Sequence, residues 1–283
     1  IVFGDWSSDV CSSDLMQLYN YLEEFIDRLR SEGKYSFTSG ELRNQYQFSP
    51  EAIKKSLQRL RRKKKIVQVR KEFYVVVPPE YRSTGIIPPS FFIPDIMKFI
   101  DRDYYVGLLN AASYFGAGHQ QPQEHYIITV PPTIRPITTH SIKINFCKKQ
   151  SWDKRFVINQ KTEAGYLKIS SPELTALDLV YYQDRVGGLN RVSTVLQKLS
   201  DQIKPNALRD CSKSYNIITV VQRLGFLLET VSEKSDLVKP LKKFLHDNKS
   251  FPLLLSTKGP KAKYLRIDND WNILANVTVE PDI

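Results

Sequence analysis

The chain has 283 residues, with 41 Lys/Arg against 30 Asp/Glu, a formal charge of +11 and a pI near 9.4. That length allows two domains with separate cores, and the basic balance favours an anionic partner, either nucleic acid or an anionic surface. No run of 18 apolar residues is present, and the cysteines (Cys11, Cys147, Cys211) and histidines (His119, His125, His140, His246) show neither a disulfide framework nor metal-ligand spacing, so the sequence reads as a reduced, cytoplasmic protein with no membrane partner, no metal and no cofactor.

Residues 1–15 end in Trp6-Ser7-Ser8-Asp9-Val10-Cys11-Ser12-Ser13-Asp14-Leu15, directly before Met16. This string resembles a translated sequencing adapter and has neither the basic start nor the apolar stretch of a secretory signal, so it reads as a non-native leader. From Met16 the apolar residues Leu18, Tyr21, Leu22, Phe25, Ile26 and Leu29 repeat at helical spacing and predict a helix over 16–30 that Gly33 ends. Tyr35-Ser36-Phe37 is extended, Thr38 or Ser39 caps a second helix over 41–46, and Ser49-Pro50 starts a third that runs to about residue 64. The β-rich runs 66–69 and 73–77, separated by Arg70-Lys71-Glu72, predict a hairpin. Three helices and a two-stranded wing are the plan of a winged helix-turn-helix, assigned to residues 16–87. A Pro-rich passage from Pro78 to Pro94 marks the boundary.

Residues 88–283 alternate in type. Helices are expected over 96–100, 104–115, 172–181, 189–199, 205–213, 217–230 and 237–247. Strands are expected over 125–130, 141–146, 156–159, 166–169, 251–255, 264–267 and 271–277. The fold class is therefore α/β (α+β), with the N-terminal winged helix-turn-helix followed by a larger mixed α/β domain. Ser170-Ser171-Pro172-Glu173 has the pattern of a capping box, with the carboxylate reaching back to the cap.

Charge concentrates in the N-terminal segment, where residues 16–87 hold fifteen Lys/Arg and eight Asp/Glu, and ten of the fifteen lie between Lys54 and Lys71 with no acid among them. On the third helix Ile53, Leu57 and Leu60 share the packing face. Glu51, Lys55, Gln58 and Arg62 lie opposite, flanked by Lys54 and Arg59. Lys and Arg neutralise phosphates and reach guanine, and Gln pairs with adenine, so this face suits a recognition helix on double-stranded operator DNA. Arg70 and Lys71 at the wing tip add backbone contacts. The bland alternative is a solvated basic face. It accounts for Lys63-Lys64-Lys65 taken alone, but less well for the helix, its Ser-Pro start and the hairpin together.

Several blocks of the chain resemble the AbiEi-family antitoxins, the transcriptional regulators of type IV abortive-infection toxin–antitoxin pairs. They are the hairpin and its exit, Phe73-Tyr74-Val75-Val76-Val77-Pro78-Pro79-Glu80-Tyr81-Arg82; the run Tyr104-Tyr105-Val106-Gly107-Leu108-Leu109-Asn110-Ala111-Ala112, followed by His119-Gln120-Gln121-Pro122-Gln123; Ser171-Pro172-Glu173 with Ala176-Leu177-Asp178-Leu179-Val180 and Asp184-Arg185-Val186-Gly187-Gly188-Leu189; and Arg223-Leu224-Gly225-Phe226-Leu227-Leu228-Glu229. The resemblance implies a repressor that binds operator DNA of its own operon and counters a nucleotidyltransferase-type toxin, with direct contact to that toxin left open. Two positions depart from the family pattern: Glu72 stands where relatives carry Gly in the wing turn, and Tyr114-Phe115-Gly116 stands where a His-Gly pair is common.

In the second domain the candidate motif residues are His119, Gln120, Gln121 and Gln123, a polar loop that caps helices or makes contacts, together with Asp178, Asp184 and Arg185. Asp178 interrupts an apolar helix and is expected to pair with Arg185. Gly107, Ala111 and Ala112 are expected to permit close helix packing. The competing class is a metal-dependent nuclease on a winged-helix targeting domain. Glu163, Glu173, Asp178 and Asp184 could serve it, but no spacing ties them to a Lys, and no Ser-His-Asp set or Gly-rich phosphate loop is present. No enzymatic activity is therefore expected.

Overall fold

The computed structural model describes residues 12–118, 123–139, 142–231, 235–260, 267 and 269–280, with side chains in the first helix described from Leu18. The chain divides into two compact units. The first takes in Ile1–Arg102, Pro136–Ile144 and Lys161–Tyr166; the second takes in Asp103–Arg135, Asn145–Gln160 and Leu167–Ile283.

The first unit opens with α1 (Ser12–Ser31). Leu18, Leu22, Phe25, Ile26 and Leu29 bury one stripe of it, as their spacing requires. Gly33, at φ +70, ends the helix: its own N–H bonds Arg30 O, and the next N–H, from Lys34, bonds Leu29 O. After β1 (Ser36–Thr38), α2 (Ser39–Gln45) is fixed by a reciprocal cap. The Glu41 N–H donates to Thr38 Oγ1 at 3.1 Å, and the Thr38 N–H donates to the Glu41 carboxylate at 2.8 Å. The third helix, α3 (Pro50–Arg62), starts where Ser49 Oγ accepts from the Ala52 N–H at 3.2 Å, with Pro50 in the first turn. Its C-terminus repeats the cap of α1, with Lys64 N–H on Arg61 O and Lys65 N–H on Leu60 O, but the left-handed residue here is Lys64 at φ +54. β2 (Ile66–Arg70) and β3 (Phe73–Val76) form an antiparallel hairpin, and β1 pairs with the other edge of β3. At the hairpin turn Glu72 has φ +63, the conformation that favours glycine. Ile53, Leu57 and Leu60 of α3 pack with Leu18, Leu22 and Phe25 of α1 and with Phe37, Ile66 and Val76 of the strands. Full burial of each such side chain contributes about 1.5–3 kcal/mol. α4 (Ile93–Phe99) follows the Pro-rich passage.

The second unit is mixed α/β. Its helices are α5 (Leu108–Tyr114), α6 (Pro172–Tyr181), α7 (Leu189–Leu199), α8 (Pro205–Tyr215), α9 (Ile218–Val231) and α10 (Ser235–His246). Its strands include β4 (Tyr104–Val106), β5 (Glu124–Thr129) and most of β7 (Ile142–Lys148), β8 (Val157–Thr162) and β9 (Gly165–Ser170), while β6 (Ile137–Thr139) belongs to the first unit. β4 runs antiparallel to β5 and parallel to β9. The short strands β10 (Leu253–Leu254) and β11 (Ile273–Leu274) pair in parallel. α6 is buried from Glu173 through Val180 and packs against α5, α7, α8 and α9. A helix buried on nearly every side belongs at the centre of a core, and its polar members Glu173 and Asp178 are met there by internal partners.

The helix expected over 104–115 is a strand, Tyr104–Val106, followed by a helix that starts at Leu108. Tyr-Tyr-Val is β-rich and fully buried between β5 and β9, and Gly107 lets the chain turn where a Cβ would come within 2.5 Å of Ile128 Cδ1. Ser171 caps α6 through Leu174 N–H, but the Glu173 carboxylate accepts from the Lys204 N–H at 3.0 Å instead of closing a capping box. The strand β6 over Ile137–Thr139 was not expected at all. The strand expected over 264–267 falls almost wholly outside the described residues.

Candidate nucleic-acid interface and buried polar cluster

In the first unit Lys54, Lys55, Gln58, Arg59, Arg62, Arg70 and Lys71 are all exposed. The basic run divides into two sets by what each side chain touches. Arg61 donates to Gln68 Oε1 at 3.1 Å, the Lys63 ammonium lies 4.5 Å over the Tyr19 ring, and Lys65 pairs with Glu23. These three pin α3 to the hairpin and to α1. Lys54, Lys55, Arg59, Arg62, Arg70 and Lys71 form no ion pair among the described residues, so their charge stays available. A groove of ≈ 480 Å³ runs beside α3, lined by Lys54, Gln58, Arg61, Lys71, Glu72 and Tyr74 among others. Glu72 supplies its acid, and that carboxylate pairs with Arg43 at 3.4 Å.

In the second unit, His119, Gln120 and Gln121 lie outside the described residues, and Gln123 is exposed. The expected Asp178–Arg185 pair is not formed. Asp178, fully buried on α6, accepts from Lys149 Nζ at 2.8 Å, from the Tyr105 hydroxyl at 2.7 Å and from the Tyr215 hydroxyl at 2.9 Å. Lys149 also lies 3.8 Å over the Tyr215 ring, and Trp152 meets Tyr105 edge-on at 5.0 Å. Burial, reinforced by the Asp178 charge, pushes both phenols well above their ordinary range, so they stay protonated and donate. The Arg185 side chain is exposed, while its carbonyl oxygen lies 2.7 Å from the Tyr126 hydroxyl. Asp184 pairs with Lys258 at 2.8 Å on the surface.

A second polar knot, which sequence reasoning missed, joins α5 to β5. Asn110 donates to Glu124 O and stands 3.2 Å from His125 Nδ1, and its Oδ1 accepts from the Tyr126 N–H at 2.8 Å. Burial lowers the His125 pKa to about 4, so the ring is neutral near pH 7, and the tautomer protonated at Nε2 leaves Nδ1 to accept from the Asn110 amide. Glu124 accepts in turn from Asn145 Nδ2 at 2.6 Å. The sequence signal was the lone Asn110 on an otherwise apolar helix face.

These geometries lock packing. Burial raises the Cys147 thiol to about 11 and drives Cys211 higher still, which makes both inert. Among the described residues no group of three His, Cys, Asp or Glu side chains could hold a metal ion. Glu173 and Asp178, two of the carboxylates available to a nuclease, are committed to internal partners.

Residues 105–230 match the model of the AbiEi antitoxin C-terminal domain. No curated protein matches the chain. Among solved structures, the RV2827C protein from Mycobacterium tuberculosis is similar at 14% identity and TM-score 0.66, with 90% of each chain covered, which is a likeness of fold. An antigenic nucleotidyltransferase-like protein from Paracoccidioides brasiliensis overlaps 54% of this chain and 90% of its own at 12% identity and TM-score 0.35, too little to carry an argument.

Proposed function

We propose that this chain, an AbiEi-family antitoxin through residues 105–230, is a repressor that holds operator DNA with a winged helix-turn-helix in residues 16–87 and counters its toxin with the domain behind it. The antitoxin family implies a toxin partner in general; the finer reading is that this toxin is of nucleotidyltransferase type. One observation carries the DNA part. Six cations and Gln58 stand exposed on α3 and the hairpin turn, with no ion pair among the described residues, while Arg61, Lys63 and Lys65 nearby are taken up by packing. In this reading α3 enters the major groove, Gln58 and Arg62 reach base edges, and Lys54, Lys55, Arg59, Arg70 and Lys71 meet phosphates. The motif residues His119, Gln120, Gln121, Gln123, Asp178, Asp184 and Arg185 belong to the antitoxin domain. Within it Asp178 acts by holding α6 in place.

Titration of the chain with its own promoter DNA at several salt concentrations tests the reading. Binding should fall steeply with salt, each neutralised phosphate adding about 0.9 to the log–log slope. The triple variant Lys55→Ala, Gln58→Ala, Arg62→Ala should bind the promoter at least tenfold more weakly. Expressed beside the toxin from independent promoters, it should still protect cells. Unchanged DNA binding by a folded triple variant removes the assignment of α3. Loss of protection removes the division of labour.

A further inference from the structure

A second cleft of ≈ 430 Å³ lies at the C-terminal end of α3. Arg61, Arg62 and Lys64 line one side and the turn containing Arg82 and Ser83 the other, over a floor of Ile66 and Val67. Four cations surround it, and no carboxylate is among the lining residues. The groove on the other side of α3 differs in that Glu72 stands within it. Arg62, Lys64 and Arg82 are exposed and form no ion pair among the described residues. Like charges gathered around one concavity repel, and a bound anion relieves that repulsion.

The geometry points to a phosphate-binding site, bordering the base-reading face of α3 and centred on Lys64 and Arg82, that takes a backbone phosphodiester of the same DNA. It rests on the DNA reading above. Gln58 and Arg62 line the cleft and also belong to the proposed DNA face, so a duplex held by α3 passes the mouth of the cleft. The walls are set before any ligand arrives. Lys64 is held by the double hydrogen-bonded cap of α3. The opposite turn is closed by Gly85 N–H on Tyr81 O at 2.9 Å, with Thr84 Oγ1 2.9 Å from both Tyr81 O and Ile86 O. Arg offers a fork that fits two phosphate oxygens, Lys a point charge, and the Ser83 hydroxyl a further donor. The carbonyl end of a helix repels anions, but here the cap occupies the last carbonyls and three side-chain cations outweigh the half charge that remains.

The test uses the full chain and the double variant Lys64→Gln/Arg82→Gln, which alters exposed side chains and should keep the wild-type thermal midpoint. Promoter DNA is titrated across salt, and inorganic pyrophosphate is titrated at low salt by calorimetry. The expected result is a log–log salt slope lower by about one in the variant, with promoter affinity reduced about tenfold and pyrophosphate binding lost. A slope that is unchanged while pyrophosphate binding is lost assigns the cleft to a free phosphate ester and overturns the DNA source. Pyrophosphate binding that depends on the two cations, in a chain that does not bind DNA, keeps the anion site and removes the operator reading on which it rests. If the folded variant keeps both wild-type salt slope and wild-type pyrophosphate affinity, there is no phosphate site here.

Discussion

Replacing Asp178 with Ala should destabilise the second unit by about 3–5 kcal/mol, because breaking a buried ion pair strands the remaining charge. Asp178 has 0% side-chain exposure and Lys149 12%, and the carboxylate also accepts from two tyrosine hydroxyls. Removing the acid leaves an ammonium that still touches a little water, so the cost falls toward the lower end of that range. Lys149→Met strands a carboxylate with no exposure and should fall toward the upper end. In the double variant no charge is stranded, so its cost should be less than the sum of the two by about 0.5–3 kcal/mol. Urea unfolding followed by tryptophan fluorescence suits the measurement, since Trp152 stands against Tyr105 and Trp271 is fully buried elsewhere in the same unit. A cost below about 1 kcal/mol for Asp178→Ala, or strict additivity of the two variants, would refute the view that this cluster holds α6 in place.

His125 should make the second unit acid-sensitive. Its folded pKa of about 4 lies below the ordinary 6.5, so the unfolded chain binds the proton first; the stability is present above about pH 6.5 and is lost as pH falls toward 4. The loss should approach about 1.4 kcal/mol per pH unit in that window, and His125→Gln should flatten the profile measured by denaturant unfolding. Gly225→Ala should cost about 1–3 kcal/mol or more in thermal or urea unfolding, because a Cβ there would lie 2.0 Å from Trp271 Cζ3. Lys64→Gly should raise the stability of the first unit by about 1 kcal/mol, since glycine adopts the left-handed cap conformation at φ +54 without a Cβ penalty. An unchanged or lower midpoint would count against strain at that cap.

Where the sequence carried its own stop signals, the elements were legible. α6 and α7 occupy the expected 172–181 and 189–199, bounded by Ser171-Pro172 and by Gly187-Gly188, both glycines at positive φ. The buried stripe of α3 follows from the spacing of Ile53, Leu57 and Leu60. Residues 104–106 were not legible, because a short apolar run looks the same in a buried strand as in a buried helix, and only pairing with β5 and β9 decides. Asp178 is legible as an acid in an apolar helix, but the local pattern points to Arg185, seven residues away. Lys149 comes from 29 positions earlier, brought there by the chain leaving β7, and no local pattern marks that. Glu72 was marked as an unusual residue in the hairpin turn, and its φ of +63 is the physical content of that mark. Nothing in the basic run told which lysines are spent on packing, since Glu23 and Tyr19, which take up Lys65 and Lys63, lie some forty residues upstream.

The glycine at position 225 lets the indole of Trp271 lie directly on α9, where Gln222 also donates to Trp271 O and Phe251 O and Arg223 to Leu254 O and Leu255 O. The family match stops at residue 230, but side chains that cover α9 come from α10, over Ser235–His246, and from beyond residue 250. The matched stretch is thus shorter than the stretch defined by its core. A protein ended at 230 would keep every matched residue and yet present a bare apolar helix to water, the kind of surface that drives clumping and proteolysis. Experiments that isolate the matched domain should therefore carry the chain through Asn276, whose amide holds Ser256 O and Pro260 O.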